Sequence, residues 1–266
     1  MRHATIAWRW AACLAVLVAS LPAMAASLEE RLAALQPDLD ARAVGVLVKI
    51  EGTDRRLLAA RSYLRSANVL DVRWSWDAAQ AEAFQQSPAR AALDDAIAQV
   101  QCEFQRRNPG HSLFVNPEFR TLERQVERWN TNESVGYAAA NFAEVLRVRS
   151  TDFSSPASAE GREQFRQLLL ATQPVPTTPL AAPGLSRHGQ MGAIDFQVMN
   201  GQQLAAGADT RTTRSVWDEP GWTAKLSSAV QAAGAGFTGP LQAPYEPWHY
   251  EFAPGATLSG RCAPVT

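Results

Sequence analysis

The chain has 266 residues, 25 Lys and Arg against 26 Asp and Glu, and a net charge of −1 with histidine neutral. That balance gives no basic excess to suggest a nucleic-acid partner. The length suffices for one sizeable core, or one domain with an extension.

Arg2 and Arg9 precede an apolar run, "WAACLAVLVASLPAMA", that ends in small residues. This order reads as a secretory signal with Ala23-Met24-Ala25 as its cleavage box, so cleavage is expected after Ala25. The run is short for a membrane span, which implies no stable membrane insertion after cleavage. Cys13 stands before most of the apolar run and therefore does not fit a lipid attachment site. The expected location is periplasmic or secreted. Removing residues 1–25 makes the chain two charges more acidic and leaves two cysteines, Cys102 and Cys262. In an oxidising compartment that pair is a disulfide candidate, the alternative being two unrelated buried thiols.

Residues 26–107 read as mainly helical, with one strand candidate, "VGVLVKI" at 44–50. The clearest helix spans Pro88 to Arg107. Ser87 fits its N-cap and Pro88 its first turn, while Leu93, Ile97, Val100 and Phe104 form the apolar stripe. "NPG" at 108–110 ends it. A short strand, "SLFV", and a helix beginning near Pro117 and running through "RTLERQVERW" come next. Residues 150–185 read as a loop-rich insertion around a short helix, "REQFRQLLLA", with a proline-rich connection lying against the body. "AIDFQVM" alternates as a strand, with Ile194, Phe196 and Val198 on one face and Asp195 on the other. A helix is expected from about Glu219 to Ala233, stopped by Gly234, and "YEPWHYEF" reads as a last strand. Short helices and strands without a βαβ rhythm predict an α+β fold. Its expected form is a small antiparallel sheet flanked by helices, with a helical N-terminal extension and a main domain over 108–266.

Several familiar chemistries have no signature here: G-x-S-x-G, S-x-x-K, C-x-x-C and H-E-x-x-H are all missing from the sequence. Gly234, Gly236 and Gly239 spell G-x-G-x-x-G, but they follow a helix and run into Pro240, which marks a turn. Beyond residue 25 the histidines are His111, His188 and His249. His111 has no carboxylate in view and reads as a surface or loop residue. His188 and Asp195 flank a glycine-containing loop, and His249 follows Glu246 by three residues with Pro247 between. A bend at Pro247 would let Glu246 and His249 share one cavity. Two imidazoles and a carboxylate make a three-ligand zinc set with a fourth position for water, and Glu246 could take that water's proton. On spacing alone, ordinary core or surface histidines fit as well.

At these residues the sequence resembles the zinc D-alanyl-D-alanine peptidases, a group of DD-carboxypeptidases, DD-dipeptidases and some phage endolysins. Their motif S-x-H-x-x-G-x-A-x-D is matched by "SRHGQMGAID" at 186–195, and their E-x-W-H by "EPWH" at 246–249. A third motif, Y-R-S-x-x-x-Q, is matched in kind by "FRTLERQ" at 119–125. The resemblance implies one Zn2+ held by His188, Asp195 and His249, with Glu246 as general base. It further implies that Arg120 acts on the substrate, helped by Ser186 and Gln125, and that the substrate is a peptidoglycan stem peptide. Met191 stands where the motif has glycine, with Gly192 one place later, so either the loop is re-registered or the pocket reshaped. The resemblance spans residues 119 to 249, and the helices before 107 lie outside it.

The expected activity is that of an exported zinc peptidase, foremost a D-alanyl-D-alanine carboxypeptidase; dipeptide hydrolysis and cross-link cleavage fit the same residues. Two rival readings are a non-catalytic cell-wall-binding module and another periplasmic zinc-binding protein. Loss of the base or of a ligand would mark the first rival, and none is missing.

Overall fold

A computed structural model describes residues 26–115, 119–253 and 262. The expected signal segment and its cleavage site lie outside the described residues. Helix α1 (Leu28–Ala34) opens on a reciprocal capping box between Ser27 and Glu30. It is followed by α2 (Ala41–Leu47), α3 (Thr53–Arg65), α4 (Leu70–Arg73) and α5 (Ala78–Gln85). The 44–50 stretch, expected as a strand, is therefore mostly helical. Asp40 caps α2 by accepting from the Arg42 amide, and Ala43, Val46, Leu47 and Ile50 are buried while Val48 is exposed. That i, i+3, i+4, i+7 burial outweighs the β-branched composition.

Helix α6 (Pro88–Arg107) has the expected boundaries, with the Ser87 hydroxyl accepting from the Arg90 amide. Strand β1 (His111–Val115) follows. Helix α7 (Leu122–Thr131) starts later than expected, because Thr121 is its N-cap and accepts from the Arg124 amide. Phe119 and Arg120 thus lie on the lead-in to the helix. Next come α8 (Glu133–Arg149) and α9 (Ala159–Ala171), then β2 (Ala193–Asn200) and β3 (Gln203–Ala206). A π-helical turn at Thr213–Asp218 leads to α10 (Trp222–Ala233), which Gly234 ends in a left-handed conformation. The chain then forms β4 (Phe237–Thr238), β5 (Leu241–Gln242), β6 (Tyr245–Glu246) and β7 (His249–Phe252).

The fold is α+β. Every strand pairing among the described residues is antiparallel. The C-terminal half of β2 lies between β1 and β3, whereas its first three residues pair with β7, which in turn pairs with β4. The "YEPWHYEF" segment is thus two short strands: β6 pairs with β5 in a separate hairpin, and Pro247 and Trp248 separate it from β7.

Two hydrophobic cores fill the molecule, and they do not follow the chain order divided at residue 107. The first draws on α1–α4 and on α7, α8 and α9, together with Ala182 and Leu185 from the proline-rich connection. The second packs α6 and α10 against β2 and includes Met191, Trp217, Trp248 and Tyr250. The connection is ordered against the body, as expected: the Tyr63 hydroxyl donates to the Pro183 carbonyl at 2.8 Å. Cys102 on α6 and Cys262 form a disulfide, tying the C-terminal segment to the second core. No described helix is long and apolar enough to cross a membrane.

Candidate metal centre

Strand β2 buries Ile194, Phe196 and Val198 in the second core, which turns Asp195 to the opposite face. Asp195 is the direct cross-strand partner of His249, the first residue of β7. Residues so paired in an antiparallel ladder present neighbouring side chains on one face. His188 enters from the 3-10 turn Arg187–Gln190, which the Gly192 amide closes by bonding to the Arg187 carbonyl at 3.0 Å.

These three side chains converge. His188 Nε2 stands 3.3 Å from His249 Nδ1 and 3.4 Å from Asp195 Oδ1, and His249 Nδ1 stands 3.1 Å from the same oxygen. The imidazole rings meet nearly edge to face, at 80° and 5.0 Å between centroids. One donor atom from each residue lies within 4.8 Å of the others, and the triad can hold a metal ion. Among the described residues it is the only group of three or more His, Cys, Asp or Glu arranged in this way. His111 is elsewhere, its ring packed 4.7 Å from Trp222.

The electrostatics fit a cation-binding cluster. Burial pushes the Asp195 carboxyl up, but hydrogen bonds from both histidines and the nearby Arg120 charge outweigh it and hold the group well below the usual range. Burial lowers the pKa of His188 despite the Asp195 carboxylate, which favours the neutral imidazole that a metal requires. Glu246 Oε2 lies 3.6 Å from His249 Nδ1, beyond hydrogen-bonding distance. Burial raises the Glu246 pKa, and the Asp195 charge adds to the rise against the cations around it. The break at Pro247 and Trp248 brings Glu246 and His249 to the same side. The segment is held from behind: Trp217 packs 5.9 Å from Trp248, and Asp218 accepts from the Tyr245 hydroxyl at 2.9 Å.

The residues of "FRTLERQ" play distinct parts. Phe119 stacks on Trp76 at 6.4 Å, and Thr121 caps α7. Arg120 Nη2 donates to Asp195 Oδ2 at 3.0 Å, taking the carboxylate oxygen that the histidines leave free. Gln125 is expected at the substrate but is buried and fully engaged. Its Nε2 donates to Ser75 Oγ and the Arg120 carbonyl, and its Oε1 accepts from the Gly184 amide. Both polar atoms of its side chain are thus bonded within the chain. Ser186 leads into the turn that carries His188, and its hydroxyl makes no hydrogen bond among the described residues.

Met191 adopts φ 51° and ψ 20°, the left-handed conformation that glycine enters most readily. Methionine thus stands in a conformation that glycine favours, with its side chain buried in the second core.

The sequence reading missed Arg128. It is exposed on α7, feels the charges of Arg120, Asp195 and Glu246, and makes no side-chain hydrogen bond or ion pair among the described residues. The available signal was its position three residues after Gln125, one helical turn along the same side. Comparison of the chain with protein-family models, with curated proteins and with solved structures gave no match.

Proposed function

We propose that this protein is an exported zinc peptidase of the D-alanyl-D-alanine peptidase kind, acting as a carboxypeptidase on peptidoglycan stem peptides. The observation that carries the reading is the triangle formed by His188 Nε2, His249 Nδ1 and Asp195 Oδ1, with edges of 3.3, 3.1 and 3.4 Å. Four donors set tetrahedrally at about 2.0–2.1 Å from a zinc ion stand roughly 3.3–3.4 Å apart. The triad thus fits one face of such a site and leaves the fourth corner open, the arrangement of catalytic rather than structural zinc. The disulfide supports export, since such bonds persist in oxidising compartments.

His188, Asp195 and His249 would hold the zinc, which would supply Lewis acidity toward the scissile carbonyl and lower the pKa of water. Glu246, beside the triad and with a carboxylate that makes no hydrogen bond among the described residues, takes a proton from the attacking water. A carbon–oxygen bond forms, the peptide carbon–nitrogen bond breaks, and Glu246 returns the proton to the leaving amine. Arg120 steadies Asp195 with one Nη and directs its remaining N–H groups to the substrate carbonyl. Ser186 Oγ bonds the substrate backbone. Arg128 gives the site a cation unpaired among the described residues, which favours a substrate ending in a free carboxylate over an internal cross-link.

The test is mass spectrometry of purified muropeptides incubated with the protein, with and without a chelator. Chelator-sensitive loss of one terminal D-Ala is expected. No chelator-sensitive change in any stem peptide would overturn the reading.

A further inference from the structure

The loop that delivers His188 rests on a part of the chain outside the resemblance. The Trp76 amide donates to the Gly189 carbonyl at 2.8 Å, and the Ser75 amide to the Gly184 carbonyl at 2.8 Å. Gln190 Nε2 donates to the Trp74 carbonyl at 2.8 Å and the Val72 carbonyl at 3.0 Å. Gln125 completes the frame through Ser75 Oγ at 2.9 Å, the Arg120 carbonyl at 2.8 Å and the Gly184 amide at 2.9 Å. Ser75 and Gln125 are 4% and 7% exposed, so the bonds from Gln125 to Ser75 Oγ and to the Gly184 amide are shielded from water.

The fit leaves no room for a methyl group. A Cβ on Gly189 would stand 2.0 Å from Ser75 Oγ and 2.6 Å from both Ser75 Cβ and Gln125 Nε2. One on Gly184 would stand 2.8 Å from the Trp74 ring. Gly189 does not have a positive φ, so contact rather than backbone conformation requires the glycine there.

A metal-binding histidine is usually oriented by a hydrogen bond to its second ring nitrogen. His188 has no such partner for Nδ1 among the described residues, and its only side-chain hydrogen-bonding and ion-pair partners there are His249 and Asp195. Its orientation must come through the backbone of the turn. We propose that residues 72–76 of the N-terminal helical region, with Gln125 and Gln190, are a positioning brace that sets His188 and thereby the metal affinity of the triad. This gives the helices outside the resemblance a role in the site, and it rests on reading the triad as a metal centre.

The test is zinc affinity of the metal-free full chain, by competition with a chelating dye, alongside its melting temperature. Gly189→Ala wedges the turn off Ser75 and is expected to weaken zinc about 10- to 100-fold, the usual cost of disturbing such outer support. Adding Ser75→Gly removes the clashing Oγ and Cβ but keeps the Gln125 Nε2 contact and gives up the Gln125–Ser75 hydrogen bond, so it is expected to recover part of that loss. A general structural defect would lower the melting temperature without this selective rescue. If the wild-type chain does not bind zinc, the metal reading fails and the proposal with it. If the wild type binds and Gly189→Ala binds as tightly, the brace alone is overturned. Should Gly189→Ala fail to fold, Gln190→Ala decides. A several-fold loss of affinity supports the brace, and unchanged affinity overturns it.

Discussion

Ionisable side chains are buried at two kinds of place in this molecule, and they are satisfied in opposite ways. In the helical core, Arg31 and Arg61 form no ion pair with a carboxylate among the described residues. Arg31 donates to the carbonyls of Ser150, Phe153 and Ser154, and Arg61 to the carbonyl of Thr172 and the side chain of Gln173. Ser150 and Thr172 are the C-caps of α8 and α9, so each guanidinium meets the negative end of a helix. Those groups have their counterpart within the chain. At the seam between the cores, two imidazoles and a carboxylate face each other across 3.1–3.4 Å, and Glu246 stands by with no hydrogen bond among the described residues. One place is answered by carbonyls of the chain, with Arg31 Nε alone left without a hydrogen bond among the described residues; the other is arranged to receive something.

The largest test of that contrast is Glu246→Ala. Removing a positioned general base typically costs about 10²–10⁴-fold in rate. Turnover of a D-Ala-terminated stem peptide should fall by that order while zinc affinity stays near the wild-type value. Activity close to wild type would show that Glu246 does not handle the proton.

Next come paired substitutions, one from each place. Arg31→Ala leaves buried carbonyls short of donors and opens a cavity, an expected loss of about 3–4 kcal/mol of stability with the folded protein still binding zinc. His188→Ala should do the reverse, abolishing tight zinc binding while shifting the stability of the metal-free chain by less than about 1 kcal/mol. Chemical denaturation with and without zinc reads both. If His188→Ala unfolds the metal-free protein, the triad is a structural element and the contrast collapses.

The two places were not equally legible in the sequence. The triad could be read because its residues sit in short motifs whose spacing survives folding: a loop followed by a strand, and a strand broken by Pro247. The brace could not, because Ser75 and Gln125 are 50 residues apart and meet only through tertiary packing. Arg120 could be singled out, but its Asp195 contact depends on α7 starting at Leu122, and that start is fixed by the Thr121 cap. The stretch 44–50 misleads because its β-branched residues suggest a strand while its spacing suits a helix face. The division into cores was hidden for a similar reason. Helix α6 follows the N-terminal helices in the chain yet packs with α10.

A smaller effect is expected from Arg128→Ala. A charge-assisted contact to a carboxylate is worth about 1.5–3 kcal/mol when shielded, and this residue is exposed, so the lower end applies. The expected change is a roughly ten-fold rise in KM for peptides ending in a free carboxylate, with kcat little altered. Equal effects on amidated and free-acid peptides would remove Arg128 from substrate recognition.

The smallest effect lies at Met191, the one non-glycine residue with positive φ among the described residues, three positions from His188. Two terms oppose each other there. The left-handed backbone costs a non-glycine residue about 1–2 kcal/mol, which glycine would relieve. Glycine would also give up the buried methionine side chain, worth about 1.5–3 kcal/mol, and would add freedom to the unfolded chain. Met191→Gly should therefore lower stability by about 1 kcal/mol, with zinc affinity close to wild type because the backbone path of the turn is unchanged. A variant more stable than the wild type would mean that strain outweighs packing, and that the chain tolerates a costly residue beside its ligand loop. The helical core shows no such residue among those described, so the sign of this one change separates a turn held by packing from one held under strain.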